Sequence, residues 1–500
     1  MSEDDPGAAV RRDRFSGGPA RSFLSSLEGD ERIFAADLAV DRAHVVMLDE
    51  QDVVDAAAAS AILAALDAIE AAGHGALSEG EDVHEAIESA VIGGIEGDNE
   101  TIVPGVGPEG GKMHTARSRN DEVAACIRYR LREDLLDLAE TTNAFREALL
   151  DGATEHKETV MPGYTHLQPA QPTTVAHWLL SYESALGRDV ERLLDCYARV
   201  NRSPLGAGAF AGVSFPIDRE RTAALLGFSG VIENSADAAA GRDFLVETTG
   251  ALSALAVTLS GIAEDGILFA NRGYLDLADE YASTSSIMPQ KKNPDTLELV
   301  RASAGDALAG LSGVFTTLKG LPRAYNRDLQ RGGPHVWEAI DAVTEATEVA
   351  AGAVATATWD AEALAADAGE GFSTATGVAD LLAMSGIPFR TAHELVATAA
   401  AEVEDDAPDA IYDALDRAAR ETLGEPLDAV VEREAVERAL DPAKSVAMRD
   451  SLGGPAPGAV GGALDRAREA LAADRGTVED ERGALADAAD ELDREVAART

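Results

Sequence analysis

The richest set of reactive groups in the chain is Ser283-Thr-Ser-Ser-Ile-Met-Pro-Gln-Lys-Lys-Asn-Pro-Asp295. Its hydroxyl and backbone N–H groups can stabilise a developing negative charge, and Lys291 and Lys292 can pair with carboxylates. The chain has only six lysines, so an adjacent pair is unusual. Directly after the segment, residues 296–301 predict a helix, whose N-terminus attracts anions. We therefore predict a loop suited to carboxylate chemistry; the alternative is a basic surface loop between helices.

A second polar segment is His114-Thr-Ala-Arg-Ser-Arg-Asn-Asp121. Two arginines, a serine and an asparagine suit the recognition of carboxylates through forked, charge-assisted hydrogen bonds. The alternative is a polar helix start with an aspartate in its first turn. From the residues alone, both interpretations stay open.

A third segment, residues 161–172, interrupts the long helical patterns of residues 122–200 with three prolines, a threonine and a histidine. So many hydrogen-bonding groups inside a helical bundle need partners, because an unpaired buried polar group is costly. We therefore expect the polar groups of residues 161–172 to have specific partners. A fourth segment, Tyr325-Asn-Arg-Asp-Leu-Gln330, follows the lysine-bearing loop.

Together these motifs resemble the fumarase/aspartase superfamily, whose loop reads Gly-Ser-Ser-x-Met-Pro-x-Lys-x-Asn-Pro. The segments at residues 114–121 and 163–168 are similar to its His-Thr-Gly-Arg-Ser-Arg-Asn-Asp and Gly-Tyr-Thr-His-Leu-Gln motifs. The Gln-Lys-Lys-Asn-Pro-Asp ending of the loop resembles the argininosuccinate lyase family in particular. The likeness runs from about residue 14 to about residue 460, and the motifs occur in the order of the family.

The resemblance implies the reversible cleavage of argininosuccinate to arginine and fumarate, the last step of arginine synthesis. In that reaction Ser285 is the base, and its alkoxide needs strong stabilisation. His166 is the general acid for the leaving nitrogen, and Glu298 orients it and keeps it charged. No metal or organic cofactor is needed. The implied substrate-binding residues are Ser26, His84, Ser118, Arg119, Asn120, Thr165, Lys291, Asn293, Tyr325 and Gln330.

Five positions need a separate comment. Ser26 also fits a helix N-cap, which we favour from the residues alone, and His84 also fits a structural histidine. The chain departs from the family at three places: Thr284 and Ala116 stand where glycine is usual, and Gly333 replaces a common lysine. Gly333 therefore removes one expected cation from the substrate site.

The elements that must position these residues are helices. Alanine, leucine and charged residues at helical spacing predict an all-α fold, with long helices near 246–270, 296–319 and 336–358. The resemblance implies three domains, at 1–112, 113–362 and 363–500, and a homotetramer whose central bundles pack together and whose active sites combine three subunits. For the acidic tail, residues 463–500, a coiled-coil contact and a solvated helix are both open, and we favour the solvated helix.

Composition excludes several classes of partner. Lys plus Arg is 42 and Asp plus Glu is 89, so the net charge is −47, which disfavours nucleic acid and anionic membranes. The dispersed acid and scarce lysine suggest adaptation to high salt. Two cysteines make no disulfide framework, and the start of the chain lacks an apolar signal segment. The apolar run at 248–263 predicts a buried helix. We expect a soluble, cytoplasmic protein that binds a small molecule.

Three other functions remain open from the sequence. A sister lyase that releases fumarate would share the loop, although Gln290-Lys-Lys292 favours argininosuccinate. A non-catalytic, crystallin-like relative would keep the fold, although the retention of Ser285, His166 and Asn120 argues against it. An acidic helical scaffold would explain the composition but not the motifs.

Overall fold

The computed structural model describes residues 19–77, 80–97, 101–403 and 407–500. The first 18 residues of the predicted N-terminal domain lie outside this description. The chain is 71% helical, and its strands are short, which confirms the all-α prediction. In the described ranges each strand pairs with one antiparallel neighbour, so no extended sheet forms there.

The N-terminal region packs short helices around one largely buried helix, residues 34–50. Aspartates start its neighbours: the Asp55 and Asp82 carboxylates accept backbone N–H groups at 3.0 and 2.8 Å, which satisfies donors that a helix start leaves free. The glycine-rich run from Gly93 to Gly111 contains a small hairpin. The elements are α1 (Pro19–Leu24), α2 (Phe34–Glu50), α3 (Ala56–Ala72), α4 (Val83–Gly93), β1 (Ile95–Glu96) and β2 (Thr101–Val103).

The central region is a bundle of long helices joined by short strands and loops. Its central helix, residues 243–272, has the length and composition to cross a membrane, but four of its leucines, Leu245, Leu252, Leu255 and Leu259, are buried in the core of the bundle. The elements are α5 (Arg119–Glu155), β3 (Val160–Thr165), β4 (Gln168–Thr174), α6 (Val175–Val200), α7 (Arg219–Leu225), α8 (Ser235–Ala240), α9 (Asp243–Arg272), β5 (Leu275–Asp276), β6 (Ser283–Thr284), β7 (Lys292–Asn293), α10 (Asp295–Ala302), α11 (Ala304–Leu318), α12 (Gly332–Thr356) and β8 (Thr358–Trp359).

The proline-rich break between α5 and α6 is a β-hairpin, in a chain for which strands were hardly expected. Strands β3 and β4 pair from Val160 with Thr174 to Thr165 with Gln168. His166 and Leu167 form the turn, with φ of 57° and 58°. Such a turn twists with the strands but usually takes glycine or asparagine, so these two residues are held in a strained conformation.

The C-terminal region forms a separate apolar cluster from Phe372 to Leu440. A helix of 41 residues then returns to the central bundle, where Leu464, Leu471 and Val478 are buried. The acidic tail is therefore not a freely solvated helix, as favoured from the sequence, because one side of it is packed. The elements are α13 (Ala361–Ala368), α14 (Ala375–Met384), α15 (Phe389–Glu402), α16 (Pro408–Leu423), α17 (Arg433–Leu440), α18 (Pro442–Ala447) and α19 (Pro457–Ala497).

Replacing Leu471 with alanine tests the packing of α19. Leu471 is 5% exposed, so we expect the free energy of unfolding to fall by about 2–5 kcal/mol, the usual cost of a cavity in a core. Chemical denaturation in concentrated salt measures the change. Exposed Glu469→Ala on the same helix is the control, and equal stability of the two variants would contradict the packed helix.

Candidate active site

A cavity of about 790 Å³ lies between the N-terminal helices and the start of α12. Residues from α4, from the first turn of α5 and from the segment before α12 form its walls. Five residues that were predicted from separate parts of the sequence meet there: Ser26, His84, Arg119, Tyr325 and Gln330.

Hydrogen bonds fix the polar wall of this cavity. The Gln330 side-chain amide donates to the Leu24 carbonyl at 3.1 Å. The Ser26 hydroxyl donates to the Asp30 carboxylate at 2.7 Å and accepts no bond from a helix N–H in the described chain, so the helix-cap interpretation of Ser26 is wrong. Burial raises the pKa of Asp30, although the bond from Ser26 opposes this. Ser26 therefore presents a fixed polar surface to the cavity.

His84 lies at the back of the cavity on a buried carboxylate. Its Nδ1 is 2.8 Å from Asp37 Oδ2 and 3.9 Å from Glu122 Oε1. Burial lowers the pKa of His84, but Asp37 and Glu122 outweigh burial and raise it to about 10. The imidazole is therefore a cation at neutral pH.

Arg117 joins this pair to two further buried acids. Its guanidinium is 2.6 Å from Asp41 and 2.8 Å from Glu122. Burial raises the pKa of Asp41 to about 7 and of Glu122 to about 8, although Arg117 lowers both. The groups form a buried charge cluster under the cavity.

Sequence reasoning missed Asp37, Asp41 and Glu122. A pattern was available, because Asp37 and Asp41 are four residues apart in the apolar run that forms α2. Two acids on one face of a buried helix require cations, which His84 and Arg117 supply.

The residues of the segment 114–121 have different roles. Ser118 caps α5: its Oγ accepts the Asn120 N–H at 3.3 Å, and its own N–H donates to Asp121 at 3.1 Å. The Asn120 amide donates to the Ala209 carbonyl at 3.0 Å. The helix-start interpretation is therefore correct for Ser118, while Arg119 faces the cavity. Ala116 has φ of 60°, the conformation for which glycine is suited.

The lysine-bearing loop is a tight hairpin in front of α10. Ser283 pairs with Asn293, and Thr284 pairs with Lys292 in an extended conformation that does not require glycine. The Ser285 Oγ accepts the backbone N–H groups of Met288 at 3.1 Å and Ile287 at 3.4 Å. Two N–H groups directed at one hydroxyl oxygen favour its deprotonated form.

The two lysines of the loop have different surroundings. Lys292 is held by Asp276 at 3.1 Å and Asp279 at 3.0 Å. Lys291 is exposed and makes no ion pair with the described residues, so its charge is available to a ligand. Only one of the two lysines therefore remains available for binding.

One chain does not bring all the predicted residues together. Thr165 and His166 lie at the exposed end of the β3–β4 hairpin, and Glu298 is exposed on α10. Neither the hairpin end nor the Ser283–Asp295 loop lines the 790 Å³ cavity. Within a single chain the predicted site residues thus fall into three separate groups.

Comparison with known proteins identifies lyase sequences in both the N-terminal and the C-terminal parts of the chain. The lyase family model matches residues 28–308, and the argininosuccinate lyase C-terminal model matches residues 372–447. Argininosuccinate lyase of Haloarcula marismortui is 66% identical over 497 residues, covering 99% of this chain and 97% of that protein. The Natronomonas pharaonis protein of the same name is 67% identical over 493 residues, with the same coverage.

The chain belongs to the argininosuccinate lyase family. Among solved structures, EDDS lyase in complex with formate has a TM-score of 0.83 and 32% identity, and the match covers 98% of each chain. A class II fumarase from Schistosoma mansoni has a TM-score of 0.67 and 16% identity over 83% of this chain and 90% of that one, a likeness of fold. Family membership and the fold thus agree with the resemblance in the motifs.

In this argininosuccinate lyase family member, the charge of His84 predicts a pH-dependent stability. Its folded-state pKa of about 10 lies above the ordinary value of about 6.5. The contribution of the charge is therefore full below pH 6.5 and is lost as pH rises toward 10. We expect the stability difference between the wild type and His84→Gln to shrink over this range in chemical denaturation. Exposed His393→Gln is the control, and a constant difference for His84→Gln would refute the assignment.

Proposed function

We propose that this protein catalyses the reversible elimination of fumarate from argininosuccinate to give arginine, the last step of arginine synthesis. The observation that carries the proposal is the 66–67% identity over nearly the whole chain with proteins of that name. In addition to this overall identity, the chain contains the residues that the motifs predicted for catalysis and substrate binding. No cofactor is part of the proposed reaction.

The base in the proposed mechanism is Ser285. The step removes a proton next to a carboxylate, and the resulting carbanion is held as an aci-carboxylate. The N–H groups of Ile287 and Met288 stabilise the Ser285 alkoxide, which makes the hydroxyl easier to deprotonate and so makes the alkoxide available as the base. Lys291 and Asn293 extend from the same hairpin and stabilise the charge that develops on the substrate.

The acid in the proposed mechanism is His166, which donates a proton to the departing guanidinium nitrogen. Glu298 orients His166 for this proton transfer. The turn holds His166 at φ of 57°, an outlier of the kind that clusters at functional sites. The strained tip is support for a functional hairpin.

The cavity binds the arginine half of the substrate in this proposal. Ser26, Tyr325 and Gln330 line it, together with Arg119 and the His84 cation. Ser118 and Asn120 keep the first turn of α5 in place beside them. An enzyme that binds both ends of argininosuccinate discriminates against smaller substrates that also release fumarate.

We also infer a cytoplasmic homotetramer, with the domain boundaries at residues 112 and 362, whose active sites are shared between subunits. The support is the exposure of large apolar side chains on three central helices: Val257 is 67%, Leu299 is 74% and Phe315 is 58% exposed. Exposed apolar side chains of this size mark protein interfaces when they are contiguous. Sharing between subunits would unite the hairpin, the loop and the cavity.

The function is tested by fumarate absorbance with argininosuccinate as the substrate, in molar salt. We expect the wild type to release fumarate and Ser285→Ala to lose at least about 10³-fold in kcat, because it lacks the base. Fumarate released from another amino-acid substrate but not from argininosuccinate would identify a sister lyase. No turnover by the folded wild type would indicate a non-catalytic relative, and near-normal turnover by Ser285→Ala would refute the base assignment.

Mixed assemblies test the sharing of sites. Ser285→Ala and His166→Asn should each be nearly inactive alone, yet co-refolding them should restore a fraction of the activity, since some sites receive both intact residues. Native mass spectrometry first confirms that subunits have mixed. Confirmed mixing without recovered activity would place both residues in the same chain or remove one from the chemistry.

Salt dependence tests the halophilic assignment. A charge of −47 on each chain repels across subunit contacts unless salt screens it, so dilute buffer should dissociate the tetramer. Light scattering between about 0.1 and 3 M salt follows the mass, where the Debye length falls from about 10 to below 3 Å. A tetramer that is equally stable in dilute buffer would contradict halophilic adaptation.

A further inference from the structure

The wall of the 790 Å³ cavity includes a glycine at the start of α12. Gly333 is the second residue of α12, and it lines the cavity. A Cβ placed on Gly333 would lie 3.3 Å from Nε1 of Trp337. Residues four apart share one face of a helix, so the Trp337 indole N–H occupies the space next to the missing side chain.

Trp337 offers this cavity a hydrogen-bond donor. The indole N–H can only donate, and Trp337 lines the cavity and is partly exposed. Among the described residues, this N–H has no protein acceptor. The guanidinium carbon of Arg32 lies over the Trp337 ring, 5.5 Å from its centroid. A donor in this position suits an acceptor on a ligand.

Arg242 gives the cavity a buried positive charge. Its side chain lines the cavity and is 3% exposed, and its Nη1 donates to the carbonyls of Ala239 at 3.2 Å and Gly241 at 3.0 Å. Its Nε and Nη2 are buried without an acceptor, and the described acids include none in ion-pair contact with it. In a chain with 89 acidic residues, a buried arginine without a carboxylate is a costly arrangement unless a ligand completes it.

The backbone brings the start of α9, which follows Arg242, close to the start of α12, which carries Gly333. Arg242 directly precedes α9, and Leu245 in the first turn of α9 would lie 3.5 Å from a Cβ on Gly332, the first residue of α12. The N-terminus of the 25-residue helix α12 adds a partial positive charge at this point. Since Gly333 has no side chain, a ligand anion can approach this helix end closely.

We propose that Gly333, Trp337 and Arg242 form a subsite for the carboxylate of the arginine half of the substrate. The Trp337 indole N–H donates to the carboxylate, Arg242 and the start of α12 supply the positive charge, and Gly333 leaves the room. The cavity also has acids, Asp30, Asp82 and Asp328, that suit the amino and guanidinium groups of the same half. The subsite rests on the proposed function for the identity of its ligand.

Trp337→Phe removes the N–H and keeps an aromatic ring. We expect KM for argininosuccinate to rise about tenfold while kcat changes less than about twofold, because the bond to a charged group contributes to binding and not to the chemical step. The control is Trp359→Phe, the same change at a tryptophan outside the cavity. A KM of the wild-type size in Trp337→Phe would overturn the proposal.

A binding measurement separates recognition of the carboxylate from general damage to the cavity. We expect the wild type to bind L-arginine more tightly than agmatine, which is arginine without its carboxylate. Trp337→Phe should lose about tenfold for arginine and leave agmatine unchanged in calorimetry. Equal losses for both ligands would show a merely structural role and overturn the subsite.

The glycine supplies a complementary test. Gly333→Lys in the wild-type background should crowd Trp337 and raise KM, whereas Gly333→Lys combined with Trp337→Phe should recover part of the loss by supplying a cation in the vacated space. Failure of the double variant to improve on Trp337→Phe would refute the shared space. If the wild type released no fumarate from argininosuccinate, the proposed function would fail, while a wild-type preference for arginine over agmatine would still support the subsite.

Discussion

The ion pair between His84 and Asp37 is the constraint around which the N-terminal half of the site is organised. Both groups are buried, so each charge needs an opposite charge beside it, and each supplies that charge to the other. The pair fixes the position of α4 relative to α2. Arg117 fixes the start of α5 relative to α2 in the same way, because it bonds to Asp41 on α2 and to Glu122 on α5. Three helices therefore meet at one depth under the cavity. Apolar packing at this place would set the distance between the helices. It would not set the rotation of each helix, and so would not decide which polar side chains face the cavity.

Sequence motifs predicted the composition of the site better than its construction. The residues that line the cavity could be identified because Ser26, Tyr325 and Gln330 lie in polar segments with a recognisable order. Asp37 and Trp337 could not be identified in that way, because their importance depends on the residues that the fold brings beside them. Family resemblance also suggested that Thr284 departs from a glycine position, whereas the hairpin pairs Thr284 in an ordinary extended conformation.

The same limit applies to the fold. Helical composition was enough for the all-α class, but the hairpin at residues 160–174 depends on pairing between segments, which single-residue preferences do not show. The packing of α19 had a readable pattern: Leu464, Leu471, Val478, Leu485 and Leu492 follow one another at seven-residue intervals. High acidity concealed this pattern, because one apolar residue in seven is enough for a narrow contact stripe on a long helix.

The end of α19 has a consequence for synthesis of the protein. Leu492 and Val496 belong to the apolar core of the N-terminal helices, and Arg499 bonds to Asp49 at 2.7 Å across 450 residues of sequence. At a translation rate of about 5–20 residues per second, α2 leaves the ribosome roughly 20 to 90 s before the helix that covers it. During that interval an acidic, incompletely covered domain must stay soluble. The abundant negative charge of the chain therefore helps to keep it soluble during synthesis, before the folded enzyme exists.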